Sequence, residues 1–325
     1  TTDIYTLSLH DALPISSFMK KLVAGIDIGG TNTVFALVDE SGTIHGSSTF
    51  PTNRYEKFND FIIAIRDGIL EISKEVDFEH KIAGIGIGAP NGNYYTGCIE
   101  SAANLIWKEN LPIVEKLKIL FGGVPVVLTN DANAAAIGEM IYGDAKGMKN
   151  FVVITLGTGL GSGFVVNGEI LYGHDGFAGE YGHIIYKRDG RQCGCGRRGC
   201  LETYVSAPGI KKTTFELLLN ENTQSSLRDI SFAKMTSKDV AMAAATGDKI
   251  AIEAFETTGR ILGEALADLV AITTPEAIFL FGGLAKSGNL ILEPTKRAFE
   301  ENLLKMWKGK VKLLLSGLDE NNAAI

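Results

Sequence analysis

Hydrophobic residues recur along the chain with two different spacings, and each spacing predicts one type of element. Short runs of branched residues bounded by turn residues predict buried strands, whereas apolar positions three or four residues apart predict amphipathic helices. Strands are predicted at 22–28, 33–39, 81–88, 124–128, 150–156, 164–167, 276–281 and 310–316. Helices are predicted at 56–76, 132–142, 249–272 and 289–306. This mixture predicts an α/β fold.

Two segments have the same layout: residues 26–38 (I-D-I-G-G-T-N-T-V-F-A-L-V) and residues 154–166 (I-T-L-G-T-G-L-G-S-G-F-V-V). Each combines a strand, a glycine-rich turn that contains threonine, and a returning strand. The turns are expected at 29–32 and 157–163. A repeat of this size indicates a duplicated α/β domain rather than a short solenoid repeat.

The chain is therefore expected to contain two domains with a short segment at each end. The smaller N-terminal α/β domain is placed at 19–128, and the larger C-terminal α/β domain at 129–316. Residues 1–18 resemble a translated sequencing adapter, lack the features of a signal peptide, and are excluded from the fold. Residues 317–325 are interpreted as the opening of a truncated terminal helix.

Composition and charge exclude several classes of protein. With 45% hydrophobic and 21% charged residues, the chain has the composition of a soluble globular protein. Its net charge of −7 and the lack of a basic stripe argue against a nucleic-acid partner. No run of apolar residues is long enough to span a membrane. Four cysteines, three of them in one loop, favour a reducing compartment, and the cytoplasm is expected.

That loop contains a candidate metal site. His183, Cys193, Cys195 and Cys200 are four ligands of the kind that zinc prefers, and the glycines between them allow tight turns. Four protein ligands leave no open position, so the zinc is predicted to be structural. The alternative is a cysteine-rich surface loop with free thiols.

The glycine-rich turns are candidate phosphate-binding sites. The G-x-G-x-G pattern at 157–163 is followed by a strand instead of a helix, which excludes a dinucleotide fingerprint, and the lysine of a Walker loop is missing. Backbone N–H groups and threonine hydroxyls could still surround an anion, although ordinary tight hairpins are the alternative. With a third glycine pair after a strand, the pattern favours a nucleotide cleft between two domains. The candidate residues are Gly29, Gly30, Thr31, Asn32, Gly157, Thr158, Gly159, Gly282 and Gly283.

Two aspartates are candidates for the chemistry. Asp27 precedes the first glycine turn and could hold magnesium together with phosphate, although an aspartate can also hydrogen-bond its own turn. Asp131 is the candidate base, and the alternative is a helix N-cap. Asn130, Asp131 and Asn133 form a polar cluster where a strand ends, which is where open α/β sheets bind ligands.

Together these motifs resemble the ROK family of sugar kinases and sugar-responsive repressors. The resemblance covers 19–325 and rests on D-I-G-G-T-N at 27–32, N-D-A-N at 130–133, L-G-T-G-L-G-S-G at 156–163, E-Y-G-H at 180–183, C-G-C-G-R-R-G-C-L-E at 193–202 and F-G-G-L at 281–284. It implies a two-domain actin-like fold, a duplicated ribonuclease H-like unit, with ATP and sugar in the cleft and a zinc-binding loop. It also implies a homodimer or homotetramer.

The resemblance also implies residue roles. Asp131 matches the catalytic base, and His183 would contact both zinc and sugar through its two ring nitrogens. The residues that match sugar ligands are Gly88, Asn104, Asn130, Glu180, His183 and Glu202. The sequence departs from the family at Asn91, where glycine is common, and the final family helix is absent beyond Ile325.

The expected function is ATP-dependent phosphorylation of a hexose, with glucose phosphorylated at its 6-hydroxyl and magnesium neutralising the developing charge. Kinases for N-acetylglucosamine, N-acetylmannosamine or fructose share these hydroxyl ligands and remain alternatives. A sugar-sensing regulator is the alternative from another class. It is disfavoured because family repressors have a helix-turn-helix before the first strand, whereas here that strand is predicted directly after Met19, Lys20 and Lys21.

Overall fold

A computed structural model describes residues 19–102 and 104–318. The adapter-like segment 1–18 and residues 319–325 of the predicted terminal helix lie outside the described residues. Two five-stranded sheets form the centre of the fold. The strands of the first sheet are β1 (Lys20–Ile28), β2 (Asn32–Val38), β3 (Ile44–Pro51), β4 (His80–Gly88) and β5 (Val126–Thr129). Those of the second are β6 (Phe151–Leu156), β7 (Leu160–Val166), β8 (Glu169–Ile170), β9 (Ala277–Phe281) and β10 (Lys312–Leu315).

The two sheets have the same topology. The first has the strand order β3-β2-β1-β4-β5, and the second has the equivalent order β8-β7-β6-β9-β10. In both, the first three strands form an antiparallel meander, the fourth strand pairs in parallel with the opening strand, and the fifth pairs in parallel with the fourth. The predicted duplication of an α/β unit is therefore confirmed. The domain boundaries at 128 and 316 stay a prediction.

Helices lie beside the two sheets. They are α1 (Phe58–Glu75), α2 (Ile113–Leu120), α3 (Asp131–Tyr142), α4 (Glu202–Val205), α5 (Ala207–Asn220), α6 (Ser237–Ala245), α7 (Lys249–Thr273) and α8 (Asn289–Asn302). The apolar positions that predicted α1 are all buried against the first sheet, and those that predicted α7 are buried in the larger core of the second half. Among the described residues, no helix is long and apolar enough to cross a bilayer.

The structure corrects the predicted turn at 157–163, because β7 already begins at Leu160. Gly161 and Gly163 lie inside this strand, where α3 packs directly on its backbone. A Cβ atom at Gly163 would lie 2.6 Å from both the Ala132 carbonyl oxygen and the Ala136 Cβ. These two glycines therefore allow α3 to pack closely on β7. The turn itself is limited to residues 157–159.

Several elements were not predicted, and one was predicted too long. Strand β3 has no fully buried residue and so lacks the alternating pattern of a half-buried strand. Helices α2, α5 and α6 were also missed; α5 has a weak apolar face that begins at Ala207-Pro208. Helix α8 ends at Asn302, four residues before the predicted end, because Leu303 adopts an extended conformation.

Candidate active site

Asp131 is the first residue of α3, directly after the short connection from β5. The alternative role of helix cap belongs to Asn130, whose side-chain oxygen accepts the backbone N–H of Asn133 at 2.7 Å. Solvent reaches the Asp131 side chain, yet surrounding protein atoms desolvate it and raise its pKa, an effect that the Ala132 N–H partly offsets. A position that is recessed among protein atoms and still open to solvent explains both observations. Such a carboxylate is suited to accept a proton.

Asp27 lies close enough to Asp131 for the two charges to interact. It is on β1, next to the first hairpin, and pairs in register with Gly88 of β4. Burial raises the pKa of Asp27 to about 6, and the negative charge of Asp131 raises it further in the same direction. The structure therefore brings together the predicted magnesium ligand, the predicted base and one predicted sugar contact.

The metal loop places three further polar groups near Asp131. Glu180 precedes the 3₁₀ turn Tyr181–His183, His183 is the last residue of that turn, and Glu202 begins α4. Burial raises the pKa of Glu180; the nearby His183 lowers it, and the charges of Asp131 and Glu202 raise it again. These interactions require that Glu180, His183, Glu202 and Asp131 lie close together. Three of the predicted sugar ligands therefore lie close to the predicted base.

The four predicted metal ligands also converge. The ligand atoms of His183, Cys193, Cys195 and Cys200 all lie within 4.8 Å of one another. The Cys195 and Cys200 sulfurs are 3.6 Å apart, and the Cys193 sulfur is 3.8 Å from His183 Nδ1. A zinc ion with Zn–S bonds of about 2.3 Å and Zn–N bonds of about 2.0–2.1 Å needs ligand separations of roughly 3.5–3.8 Å in a tetrahedron. The residues present therefore fit a structural zinc ion, and Nδ1 is the metal-side nitrogen of His183.

Glu202 also joins the metal loop to the second hairpin, a link that the sequence did not reveal. Its Oε2 accepts the backbone N–H of Leu160 at 3.0 Å. A Cβ atom at Gly159 would lie 2.5 Å from the same oxygen, so a larger residue there would displace the Glu202 carboxylate. The carboxylate therefore fixes the end of the hairpin while lying beside Glu180.

Each of the two predicted phosphate hairpins has a backbone hydrogen bond that starts from its first glycine. The Gly29 N–H donates to the Asn32 carbonyl at 2.9 Å, and the Gly157 N–H donates to the Gly159 carbonyl at 3.0 Å. Because both of these N–H groups are used within the turns, phosphate donors would come from the other residues of each hairpin. The third glycine pair is adjacent to the second hairpin, since the Leu284 N–H donates to the Leu156 carbonyl at 3.0 Å.

Two further contacts support the first hairpin. Thr52, the residue directly after β3, is 1% exposed and donates its hydroxyl to the Gly29 carbonyl at 2.7 Å. The Asn104 backbone packs against Gly30, where a Cβ atom would lie 2.9 Å from the Asn104 carbonyl oxygen. The predicted sugar contact Asn104 is thus placed beside this hairpin. Thr52 was missed because β3 itself was not predicted.

Asn91, the departure from the family pattern, has a backbone conformation that explains the substitution. Its φ is 52°, in the left-handed region where glycine and asparagine are the most tolerated residues. Its side-chain amide donates to the Glu100 carbonyl at 2.9 Å and so supports the turn after β4. Asparagine is therefore compatible with the backbone conformation of the turn after β4.

A duplicated sheet with a glycine hairpin in each half and a carboxylate between them defines the actin-like class of sugar kinase folds. The sequence model of the ROK family matches residues 23–325, and the chain belongs to the ROK family. A glucokinase from Halalkalibacterium halodurans is 38% identical over 283 residues, which are 85% of this chain and 84% of that protein.

Solved structures agree with this assignment. A ROK family glucokinase from Streptomyces griseus, in complex with glucose and AMPPNP, superimposes with a TM-score of 0.78 at 32% identity, covering 93% of this chain and 96% of that one. A ROK family transcriptional regulator, a homologue of the Escherichia coli MLC protein, has a TM-score of 0.83 at 25% identity and covers 94% of this chain and 77% of that one. The same fold thus occurs in kinases and in regulators.

Proposed function

We propose that the protein is an ATP-dependent hexokinase that converts glucose to glucose 6-phosphate. The observation that carries the proposal is the group of Asp131, Glu180, His183 and Glu202 in one cleft beside two glycine hairpins. The similarity to glucokinases, one of them a complex with glucose and an ATP analogue, supports glucose and ATP as the substrates. The site geometry and the similarity to glucokinases both indicate phosphoryl transfer from ATP to a sugar.

In the proposed reaction, the 6-hydroxyl oxygen of glucose attacks the γ-phosphorus of ATP. The new O–P bond forms as the bond between the γ-phosphorus and the β–γ bridging oxygen breaks, ADP leaves, and Asp131 accepts the hydroxyl proton. Phosphoryl transfer depends mainly on positioning and electrostatic stabilisation. Asp131 is suited to this role because its raised pKa strengthens it as a proton acceptor relative to an ordinary aspartate.

The other residues of the cleft hold the substrates. Sugar hydroxyls are assigned to Gly88, Asn104, Asn130, Glu180, His183 and Glu202. The phosphates are assigned to the hairpins at 29–32 and 157–159 and to Gly282-Gly283. When bound, magnesium neutralises phosphate charge, and Asp27 is its proposed ligand. Zinc on His183, Cys193, Cys195 and Cys200 would fix the loop that presents Glu180, His183 and Glu202 to the sugar.

We also propose a homodimer or homotetramer in the cytoplasm. Three closely spaced thiols that fit a metal are compatible with a reducing compartment. Light scattering coupled to size-exclusion chromatography would test the assembly, and a monomeric mass would contradict it.

A coupled kinase assay with a panel of sugars tests the function. Glucose, mannose, fructose, N-acetylglucosamine and N-acetylmannosamine would each be offered with ATP and magnesium. The highest kcat/KM is expected for glucose. A preference for an N-acetylhexosamine or for fructose would establish the corresponding alternative kinase. No phosphorylation of any sugar, together with calorimetric sugar binding, would favour the regulator alternative and contradict the kinase.

Replacing Asp27 by asparagine is expected to stabilise the protein at neutral pH while lowering its activity. The pKa of Asp27 rises from 3.8 to about 6 on folding, so the folded protein keeps its proton between these values while the unfolded chain releases it. Stability therefore falls as the pH rises through this window. Asparagine should recover up to about 1–3 kcal/mol at pH 7.5 and little at pH 4. Thermal unfolding at both pH values, without magnesium, measures this difference.

Asp39→Asn is a control for which the melting temperature is expected to change in the opposite direction. The Ser41 hydroxyl and then His45 hold the pKa of Asp39 below its usual range, so this carboxylate stabilises the fold when ionised. Its replacement should lower the melting temperature at pH 7.5 and leave kcat close to that of the wild type. Equal melting temperatures for wild type and Asp27→Asn at pH 7.5 would show that Asp27 is not destabilising.

A further inference from the structure

Two loops from opposite halves of the molecule contact each other. One loop follows β4 of the first sheet and contains Asn93, Tyr94 and Tyr95. The other follows β8 of the second sheet and contains Tyr172, Gly173 and Asp175. We call these six residues the interlobe contact. None of them belongs to the sugar, phosphate or metal sets assigned above.

Asn93 is the buried centre of the interlobe contact, with 2% of its surface exposed. Its Nδ2 donates to the Asp175 carbonyl oxygen at 2.7 Å, across the two lobes. Its Oδ1 accepts the backbone N–H groups of Tyr95 at 2.9 Å and of Thr96 at 3.3 Å, within its own loop. One side chain thus fixes the conformation of the first loop and ties it to the second.

The backbone of the second loop approaches Asn93 very closely. Gly176 has a φ of 90°, and a Cβ atom at this position would lie 2.5 Å from Asn93 Oδ1. Only glycine combines this conformation with this separation. The fit of Gly176 against Asn93 is therefore specific to the observed arrangement of the two loops.

Three tyrosines extend the same contact toward solvent. The rings of Tyr94 and Tyr172 are stacked, with centroids 4.3 Å apart and an interplanar angle of 10°, and the Tyr95 ring is 6.1 Å from Tyr172. The Tyr95 hydroxyl donates to the Gly173 carbonyl oxygen at 3.0 Å. Tyr94 and Tyr95 remain 45% and 58% exposed, so little of their apolar surface is removed from water. The hydrogen bonds of Asn93 and Tyr95 therefore define the register of the two lobes.

Both loops continue directly into proposed sugar ligands. The first loop begins after Gly88, and Gly92 rests on the Thr129 carbonyl oxygen, which would be 2.4 Å from a Cβ atom at Gly92. The second loop ends at Gly179, which precedes Glu180. A displacement of one loop against the other would therefore move Glu180 relative to Gly88.

We propose that Asn93 and Tyr95 are positioning residues for sugar binding, which act by holding the Glu180 segment of one lobe in register with the Gly88 turn of the other. The inference rests on the proposed sugar kinase activity. Neither residue is expected to touch the reacting atoms. Their effect should fall on glucose affinity and leave ATP binding at the glycine hairpins unchanged.

The test compares Tyr95→Phe and Asn93→Asp with the matched control Tyr94→Phe. Tyr95→Phe keeps the ring and removes the bond to Gly173, whereas Asn93→Asp replaces the donor that faces the Asp175 carbonyl by an oxygen. Among the described residues the Tyr94 hydroxyl has no hydrogen-bond partner, so Tyr94→Phe removes a hydroxyl from the same contact without removing a bond. Steady-state kinetics with glucose and with ATP, and the melting temperature, are measured for each variant.

Loss of one hydrogen bond typically weakens a binding constant by roughly fivefold. Tyr95→Phe is therefore expected to raise the glucose KM by about threefold to tenfold. Asn93→Asp should raise it further. The ATP KM, the kcat at saturating glucose and the melting temperature of Tyr95→Phe should stay near those of the wild type and of Tyr94→Phe.

An unchanged glucose KM in Tyr95→Phe, in a wild type that phosphorylates glucose, would overturn the inference and leave the proposed function intact. A parallel rise in the KM for ATP, or a loss of melting temperature in Tyr95→Phe, would indicate a general structural role and also overturn it. If the wild type phosphorylates no sugar, the proposed function is wrong. The inference is then tested separately by measuring glucose affinity with calorimetry. An unchanged glucose affinity in the variants would overturn the inference.

Discussion

Asp131→Asn is expected to lower kcat by at least about 10²–10⁴-fold, because a positioned general base contributes roughly this much to a rate. Asparagine has the same shape, and its side-chain oxygen can still accept the Ala132 N–H that Asp131 accepts at 2.9 Å. It cannot accept the proton of the sugar hydroxyl. The glucose KM should change much less than kcat. Single-turnover kinetics at saturating glucose and ATP would measure the chemical step directly.

Two comparisons separate chemistry from stability in this experiment. Asp144→Asn removes an exposed carboxylate just beyond the end of α3 and should leave kcat unchanged. The melting temperature of Asp131→Asn should be no lower than that of the wild type at neutral pH, because a desolvated charge has been removed. Near-normal turnover in Asp131→Asn would exclude this residue as the base.

The pH dependence of the wild type gives an independent measurement. Because the pKa of Asp131 is raised, the acid limb of its kcat/KM profile should lie above the range of an ordinary aspartate. Ionised Asp131 is the active form, so the rate should rise as the pH increases through that limb. A rate that is constant down to pH 4 would contradict the assignment.

Local patterns in the sequence predicted much of the fold and of the site. The duplicated strand, hairpin and strand pattern is local in each half, and the two sheets indeed have the same strand order. The four metal ligands occur within one short loop, so their convergence needs only local turns. The group of metal ligands and the positions of both hairpins were therefore predictable from the sequence, although the turn of the second hairpin is shorter than predicted.

The contacts that were missed connect residues far apart in the sequence. Two examples are the hydrogen bond from Leu160 to Glu202 and the hydrogen bond from Asn93 to Asp175. Both depend on how separate elements pack, and the residue types alone do not indicate which residues pair. Gly163 was misassigned to a turn for the same reason. Its close approach to α3 becomes visible only when the helix is placed on the sheet. A glycine pattern alone cannot distinguish a turn from a packing contact.

Removal of the metal is expected to reduce sugar binding without direct loss of a sugar ligand. Cys200→Ser replaces a buried thiol whose sulfur lies 3.6 Å from that of Cys195, and three ligands should then hold zinc much more weakly. Cys200 is followed by Leu201 and then Glu202, so loosening this end of the loop disturbs a proposed sugar ligand and its bond to Leu160. We expect zinc content to fall below stoichiometry and the glucose KM to rise by about tenfold or more, since changes around a metal site typically cost 10–100-fold.

Cys98→Ser is the matched control for this variant, because Cys98 is partly exposed and lies outside the metal cluster. It should keep its zinc, its glucose KM and its melting temperature. Treatment of the wild type with a zinc chelator should reproduce the Cys200→Ser defect, and added zinc should reverse it only in the wild type and in Cys98→Ser. A purified protein without zinc, or a Cys200→Ser variant with normal glucose affinity, would show that the metal loop does not control the sugar site. The reversal by zinc is the decisive observation. Added zinc should restore glucose binding if the chelated protein has lost only its metal, and it should not restore glucose binding if the protein is misfolded.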